Sequence, residues 1–280
     1  MTRLAWLEPR IEPSWTVTRL LWVLAGLATW LPRGFLVGEV YCDTGIVVPS
    51  AFVTLSPLSL PAAWTHYAVL IVGLVLVGIG RHNRVGIVLF LVPSSLLMLH
   101  EGLNIKGYDR LLLWQGLVLL AAPGGGRGDR AGSPFAQYSM LVIYVGLYGS
   151  NGWFKVLRGT DWWHGTTLAY ALVDQNFGGR ALGLWLSDKA WLTIPLSWWT
   201  VLFEAGFPIL VWFGRVRAWL LLSGVALHVG IALTMHLNTF GLIVLAGYPV
   251  LLGDRGWIAF QLQARSVIAR VGASWAHHGQ

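Results

Sequence analysis

Lys155 is the residue around which chemistry is easiest to imagine. It closes a long apolar run at 134–155 and sits inside the stretch YGSNGWFKVLRGTDWWHGTTLAY, residues 148–170. A lysine at such a boundary has two readings. It can snorkel, laying its stem along apolar surface and holding its ammonium at the lipid headgroups. Or it can be drawn inward beneath Trp153, Trp162 and Trp163, where a desolvated amine serves as a general base. His164 follows directly and belongs to the same aromatic cluster.

Two more ionisable residues, Glu204 and His228, fall inside apolar runs. Such groups are costly there, which makes each a candidate site residue. Glu204 needs a proton or a partner, and Arg19, His228 and Lys155 are available. A pair that fixes helix packing suits it as well as a role as catalytic acid. His228 and His236 are eight residues apart and on one helix would share a face, so both could look inward. They raise haem or metal binding, but without a second matched pair they read better as packing histidines. His100 and Glu101 end another run and read as solvated interface residues. The one cysteine, Cys42, excludes an intrachain disulfide and any cysteine-based metal or redox pair. The candidates are therefore Lys155, Glu204 and His228 for catalysis, and Trp153, Trp162, Trp163, His164 and His236 for ligand binding. No metal site is expected.

These residues need elements to position them, and composition says which kind. Of 280 residues, 56% are hydrophobic and 11% charged, with mean hydropathy +0.64. A soluble domain carries about a quarter charged residues. The sequence therefore predicts an all-α integral membrane protein, because only helices or closed barrels satisfy their backbones in lipid. Eight apolar runs stand out: 15–31, 65–80, 85–99, 111–122, 134–155, 192–212, 218–234 and 239–252. The third and fourth are short against the roughly 20 residues a bilayer needs. The 17 tryptophans suit interfacial anchoring. Between the fifth and sixth runs, 156–191 reads as an outer amphipathic loop. Its apolar patches, Leu168 with Leu172 and Leu182 with Leu186, are too short to span. Gly178-Gly179 separates them, and two interfacial or re-entrant helices are expected.

The basic residues test that count. With the N-terminus (1–14) inside, the cytoplasmic segments hold Arg3, Arg10, Arg81, Arg84, Arg127, Arg130, Arg215, Arg217, Arg255, Arg265 and Arg270. The opposite loops hold Arg33, Lys106, Arg110, Arg158, Arg180 and Lys189. The alternation holds at every loop, as a multi-pass protein of the bacterial inner membrane with both termini cytoplasmic requires. The net charge of +7 is thus loop charge, not a nucleic-acid surface. Arg19 interrupts the first run, which reads as a retained helix and not a signal peptide. The glycines at 124–128 lack the Gly-Lys-Ser/Thr of a phosphate loop. The tail, 253–280, mixes Trp257, Phe260 and Ile268 with Arg265 and Arg270, suiting a helix along the cytoplasmic surface. No inverted repeat is visible, which argues against a transporter.

Several segments, in order, resemble one family. NIKGYDRLLLWQGLVLLAAP at 104–123 resembles a loop-and-helix block of the horizontally transferred transmembrane domain family. Arg19, the run Tyr41-Cys42-Asp43-Thr44-Gly45, the block 148–171, Glu204 before Pro208, and His228-Val229-Gly230-Ile231-Ala232 before Phe240 fit the same pattern. The resemblance extends over roughly 15–252 and includes the membrane domain of vitamin K-dependent gamma-glutamyl carboxylase. There, a lysine in the block equivalent to that of Lys155 deprotonates reduced vitamin K, oxygen adds, and the resulting base prepares a glutamate for carbon dioxide. The resemblance implies a reduced, vitamin K-like quinone as cofactor and Lys155 as an outward-facing base. Small bacterial members include a membrane protein needed to mature a secreted peptide toxin. Two functions stay open: a carboxylase-like protein binding a quinol or isoprenoid lipid, and a non-catalytic membrane subunit or maturation factor packing against a partner protein or secreted peptide.

Overall fold

The computed structural model describes residues 13–43, 45, 55–100, 106–122 and 134–253. Most of the N-terminal segment, Glu101, the glycine turn at 124–128 and the tail from 254 lie outside the described residues.

The chain runs α1 (Pro13–Arg33), a 3-10 turn (Gly34–Leu36), α2 (Val37–Val40), α3 (Leu60–Gly78), α4 (Asn83–His100) and α5 (Gly107–Ala121). It continues through α6 (Pro134–Arg158), α7 (Thr160–Trp163), α8 (Thr166–Val173), α9 (Ala181–Ser187), α10 (Ala190–Leu210), α11 (Gly214–Thr234) and α12 (Asn238–Ala246). Further helix occupies 248–253. Among the described residues the only β pairing is one bridge, Cys42 to Leu58. Cys42 is fully buried, and its thiol donates to the Gly38 carbonyl at 2.7 Å.

All eight expected apolar runs are helical. Four helical stretches are long and apolar enough to cross a membrane: Ser14–Val40, Leu60–Gly78, Asn83–His100 and Gly214–Thr234. The other runs differ for legible reasons. α5 has 15 residues, about 22 Å at 1.5 Å per residue, and α12 has nine. α6 and α10 are long enough, at 25 and 21 residues, but carry Ser150, Asn151 and Lys155, or Glu204 and three tryptophans.

Tight glycine contacts replace bulky interdigitation where α3 meets α4. A Cβ on Gly73 would stand 2.5 Å from the Gly86 carbonyl oxygen, and one on Gly86 would stand 2.7 Å from that of Gly73. Small residues that let backbones touch are a familiar device of helix pairs in apolar surroundings. Gly73→Ala should cost about 1–3 kcal/mol by overpacking, read as a lowered unfolding midpoint of the purified protein.

The core at this end is aromatic. Trp22 and Phe90 are fully buried with ring centroids 5.0 Å apart, and the Trp22 indole donates to the Leu112 carbonyl at 2.9 Å. An ion pair ties α1 to the start of α5: Arg33 donates to both oxygens of Asp109 at 2.8–2.9 Å. Asp109 also accepts from the Lys106 amide at 3.0 Å, capping α5.

The stretch 156–191 holds three short helices, not the two expected. The apolar patches form α8 and α9 as anticipated, and α7 is added from Thr160-Asp161-Trp162-Trp163. Gly165 separates α7 from α8 with φ +73°, and a Cβ there would lie 2.9 Å from the Ile194 amide nitrogen. A left-handed residue pressed against a neighbouring backbone is a position for glycine. That turn was not visible from apolar patches alone.

Candidate functional site

α6 carries a polar stripe: Tyr144, Tyr148, Asn151 and Lys155 follow at intervals of four, three and four, and so share one helix face. α10 lies against it at unusually close range. A Cβ on Gly152 would meet the Ala205 amide nitrogen at 2.2 Å, and one on Gly149 would meet the Pro208 ring at 2.9 Å. That approach brings Lys155 to Glu204. Their ammonium and carboxylate are hydrogen-bonded and ion-paired, and each side chain is only 14% exposed. The Trp162 ring lies over the ammonium, with its centroid 4.4 Å from Nζ, an arrangement that attracts the cation to the ring face. Of the three partners open to Glu204 in sequence, the structure selects Lys155.

Beside the pair lies a cavity of about 810 Å³, within the range of small-molecule sites. α5, α6, α8, α9, α10 and α11 all contribute walls, with leucine the commonest lining residue. The ionisable groups include Lys155 and Glu204, then Tyr148 and His228, with Asn151 and the hydroxyls of Thr167, Thr200 and Thr234 also on the lining residues. The Tyr148 hydroxyl sits 2.9 Å from His228 Nε2 and 2.6 Å from the Tyr248 hydroxyl. Beyond it, Gln115 donates to the Tyr144 hydroxyl and to the Ile243 carbonyl, each at 2.8 Å, and Tyr144 donates to the Val244 carbonyl. His228 Nδ1 is buried and has no hydrogen-bond partner among the described residues.

The three short helices α7, α8 and α9 form one side of the cavity and are held by contacts to backbone groups. Ser197 on α10 donates to the Trp162 carbonyl, and the Trp198 indole donates to that of Trp163 at 2.7 Å. The Gly179 amide donates to Leu172 at 2.8 Å, and the His236 amide to Phe177 at 2.6 Å. Gly183 on α9 lets that helix approach the Thr234 carbonyl at the end of α11, where a Cβ would clash at 2.2 Å.

Lys155, Glu204, His228 and Trp162 therefore converge on one cavity. Trp153, Trp163, His164 and His236 do not line it. Trp153 is 46% exposed, and His164 and His236 are also exposed. His236 misses the face of His228 because α11 ends at Thr234, so helical spacing no longer applies two residues later. Among the described residues, no group of three or more His, Cys, Asp or Glu is placed to hold a metal.

Compared with family models, curated proteins and solved structures, the chain matches none.

Sequence reasoning missed Tyr148, Asn151 and Tyr248. The first two were legible, because they lie on the Lys155 face of one helix. Tyr248 was not: its hydroxyl reaches Tyr148 from 100 residues away in sequence.

Proposed function

We propose that this chain is a multi-pass membrane protein of about eight helices that binds a reduced quinone or related isoprenoid lipid, with Lys155 as general base. The observation that carries this reading is the cavity, largely apolar in its lining, into which Lys155–Glu204 and Tyr148–His228 enter as ionisable groups. The ordered resemblance to the horizontally transferred transmembrane domain family supports the same ligand class. The charge alternation supports cytoplasmic termini in a bacterial inner membrane, with Lys155 toward the outer side.

The residues fit such a ligand. The leucine-rich walls suit an isoprenoid chain or fused ring, and His228, a lining residue, keeps a buried Nδ1 without a hydrogen-bond partner among the described residues. A reduced quinone would bring a weakly acidic hydroxyl and two electrons for a later oxidant. The protein's own part is the proton. In the resting pair Lys155 is an ammonium and cannot accept one. Passing its proton to Glu204 leaves an amine beside a carboxylic acid, two neutral groups that a dry cavity tolerates better than separated charges. The amine lone pair then takes the ligand's hydroxyl proton, and the regenerated ammonium faces the oxyanion it has created. Trp162, stacked over Nζ, keeps water from that amine.

Aerobic consumption of a reduced naphthoquinone by the purified protein is the test. Turnover above the uncatalysed rate, lost in Lys155→Ala, is the expected result. No turnover in either protein would abandon the catalytic reading for the non-catalytic one, a subunit or maturation factor, and copurification would then identify the partner.

A further inference from the structure

The hydrogen bonds around His228 determine which kind of ligand atom it can meet. Three groups form a buried chain: Tyr248 Oη, Tyr148 Oη and His228 Nε2, spaced 2.6 and 2.9 Å. Tyr148, Tyr248 and His228 are 3%, 6% and 2% exposed. Among the described residues, Tyr248 Oη has no hydrogen-bond partner other than Tyr148, and His228 Nδ1 has none.

Two neutral arrangements are possible. In the first, Tyr248 donates to Tyr148, and Tyr148 donates to Nε2. Both hydroxyl protons are then used, the imidazole proton sits on Nδ1, and that single N–H is left over. In the second, Nε2–H donates to Tyr148, and Tyr148 donates to Tyr248. The Tyr248 proton then has no acceptor, and the Nδ1 lone pair has no donor, so two groups are orphaned instead of one. Each buried orphan costs free energy on the order of 1–3 kcal/mol, which favours the first arrangement. A doubly protonated ring fares worse. It would strand the Tyr248 proton and also place a positive charge in the interior with no carboxylate hydrogen-bonded to it.

We propose that His228 is a hydrogen-bond donor through Nδ1–H, held in that tautomer by Tyr148, and that on ligand binding the groups covering Nδ1 yield so that it meets a lone pair on an oxygen of the cavity's ligand. This rests on the reading that the cavity holds a polar-headed apolar ligand, and it assigns His228 a role distinct from that of Lys155. Lys155 removes a proton from the ligand, whereas His228 has no lone pair to offer and donates to a lone pair on a second oxygen, which a quinol hydroxyl and a quinone carbonyl both carry. The site therefore favours a ligand with a hydroxyl to lose at one position and an acceptor oxygen at another. An alcohol or hydrocarbon of equal size lacks the second feature.

The tautomer can be measured without any ligand. In the full-length protein labelled with 15N-histidine, the His228 signals are those that vanish in His228→Asn. A protonated Nδ1 with an unprotonated Nε2 is expected, and Tyr148→Phe should release the constraint and populate the other tautomer. Tyr248→Phe is the contrasting probe: Tyr148 can still donate to Nε2, so the Nδ1–H tautomer should persist in it. A proton on Nε2 in the unaltered protein would overturn the proposal, and so would loss of the Nδ1–H tautomer in Tyr248→Phe. Binding of 1,4-naphthoquinone separates this failure from that of the ligand reading. His228→Ala should weaken binding by about fivefold to tenfold, the worth of one hydrogen bond. His228→Asn, whose amide can place an N–H near the Nδ1 position, should recover most of that loss. The expected tautomer with no detectable naphthoquinone binding would refute the ligand reading while leaving the Tyr248–Tyr148–His228 assignment standing. Equal binding by the alanine and asparagine variants would refute His228 as the donor.

Discussion

Lys155→Ala should remove quinol consumption and also lower stability by about 3 kcal/mol, the low end for breaking a mostly buried ion pair. The stability loss arises at Glu204. Its carboxylate sits in a cavity wall where the Lys155 ammonium is its only ion-pair partner among the described residues. Removing the lysine leaves that charge uncompensated or forces it to take up a proton. Glu204→Gln should therefore restore most of the lost stability when combined with Lys155→Met, because two neutral side chains of similar volume replace the pair. Turnover should not return, since no base remains. Equilibrium unfolding of the single and double variants in one detergent gives the coupling directly. A coupling below about 0.5 kcal/mol would place the pair among solvent-screened surface bridges and remove the basis for a protected proton transfer between them.

Gly152→Ala should be among the most damaging single added methyls in the chain. Its Cβ would fall 2.2 Å from the Ala205 nitrogen and 2.5 Å from the Glu204 carbonyl carbon, both backbone atoms that cannot rotate aside. α6 and α10 must separate or slide, and either movement pulls Lys155 from Glu204. Overpacking of this kind costs about 1–3 kcal/mol, and the functional loss should exceed the stability loss. Naphthoquinone binding and turnover should both fall at temperatures where the variant remains folded. Gly146, six residues earlier on the same helix, has nothing within 4 Å of an added Cβ, so Gly146→Ala is the matched control. Equal behaviour of the two variants would show that the close approach of α6 to α10 does not set the pair.

How much of this was readable beforehand depends on the range of the interaction. Apolar runs announce helices, and every expected run is one. The Lys155 stripe was readable too, because Tyr148, Asn151 and Lys155 follow helical spacing. What failed was extrapolation past an element's end. His236 was assigned to the face of His228, but α11 stops two residues short of it. Trp153 and His164 were grouped with Lys155 by nearness in sequence, yet a helix sends neighbours in different directions, and only Trp162 turns back over the ammonium. The choice of Lys155 over Arg19 or His228 as partner for Glu204 depended on a backbone contact at Gly152, which no property of Glu204 itself encodes. The Tyr248–Tyr148 contact joins residues 100 positions apart and needed the fold.

Cys42, sealed under α2 with its thiol bonded to Gly38, has a use unrelated to chemistry in the cavity. Because the sequence holds no other cysteine, the chain is already close to a thiol-silent background for labelling. Asp188, exposed beside α9, and Arg84, exposed in the first turn of α4, can each be replaced by cysteine in otherwise unaltered protein. A maleimide too polar to enter a bilayer should reach Asp188→Cys from outside intact cells and Arg84→Cys only after lysis. Labelling of Arg84→Cys from outside and of Asp188→Cys only after lysis would reverse the charge-based orientation, and labelling of both from one side would refute their assignment to opposite faces.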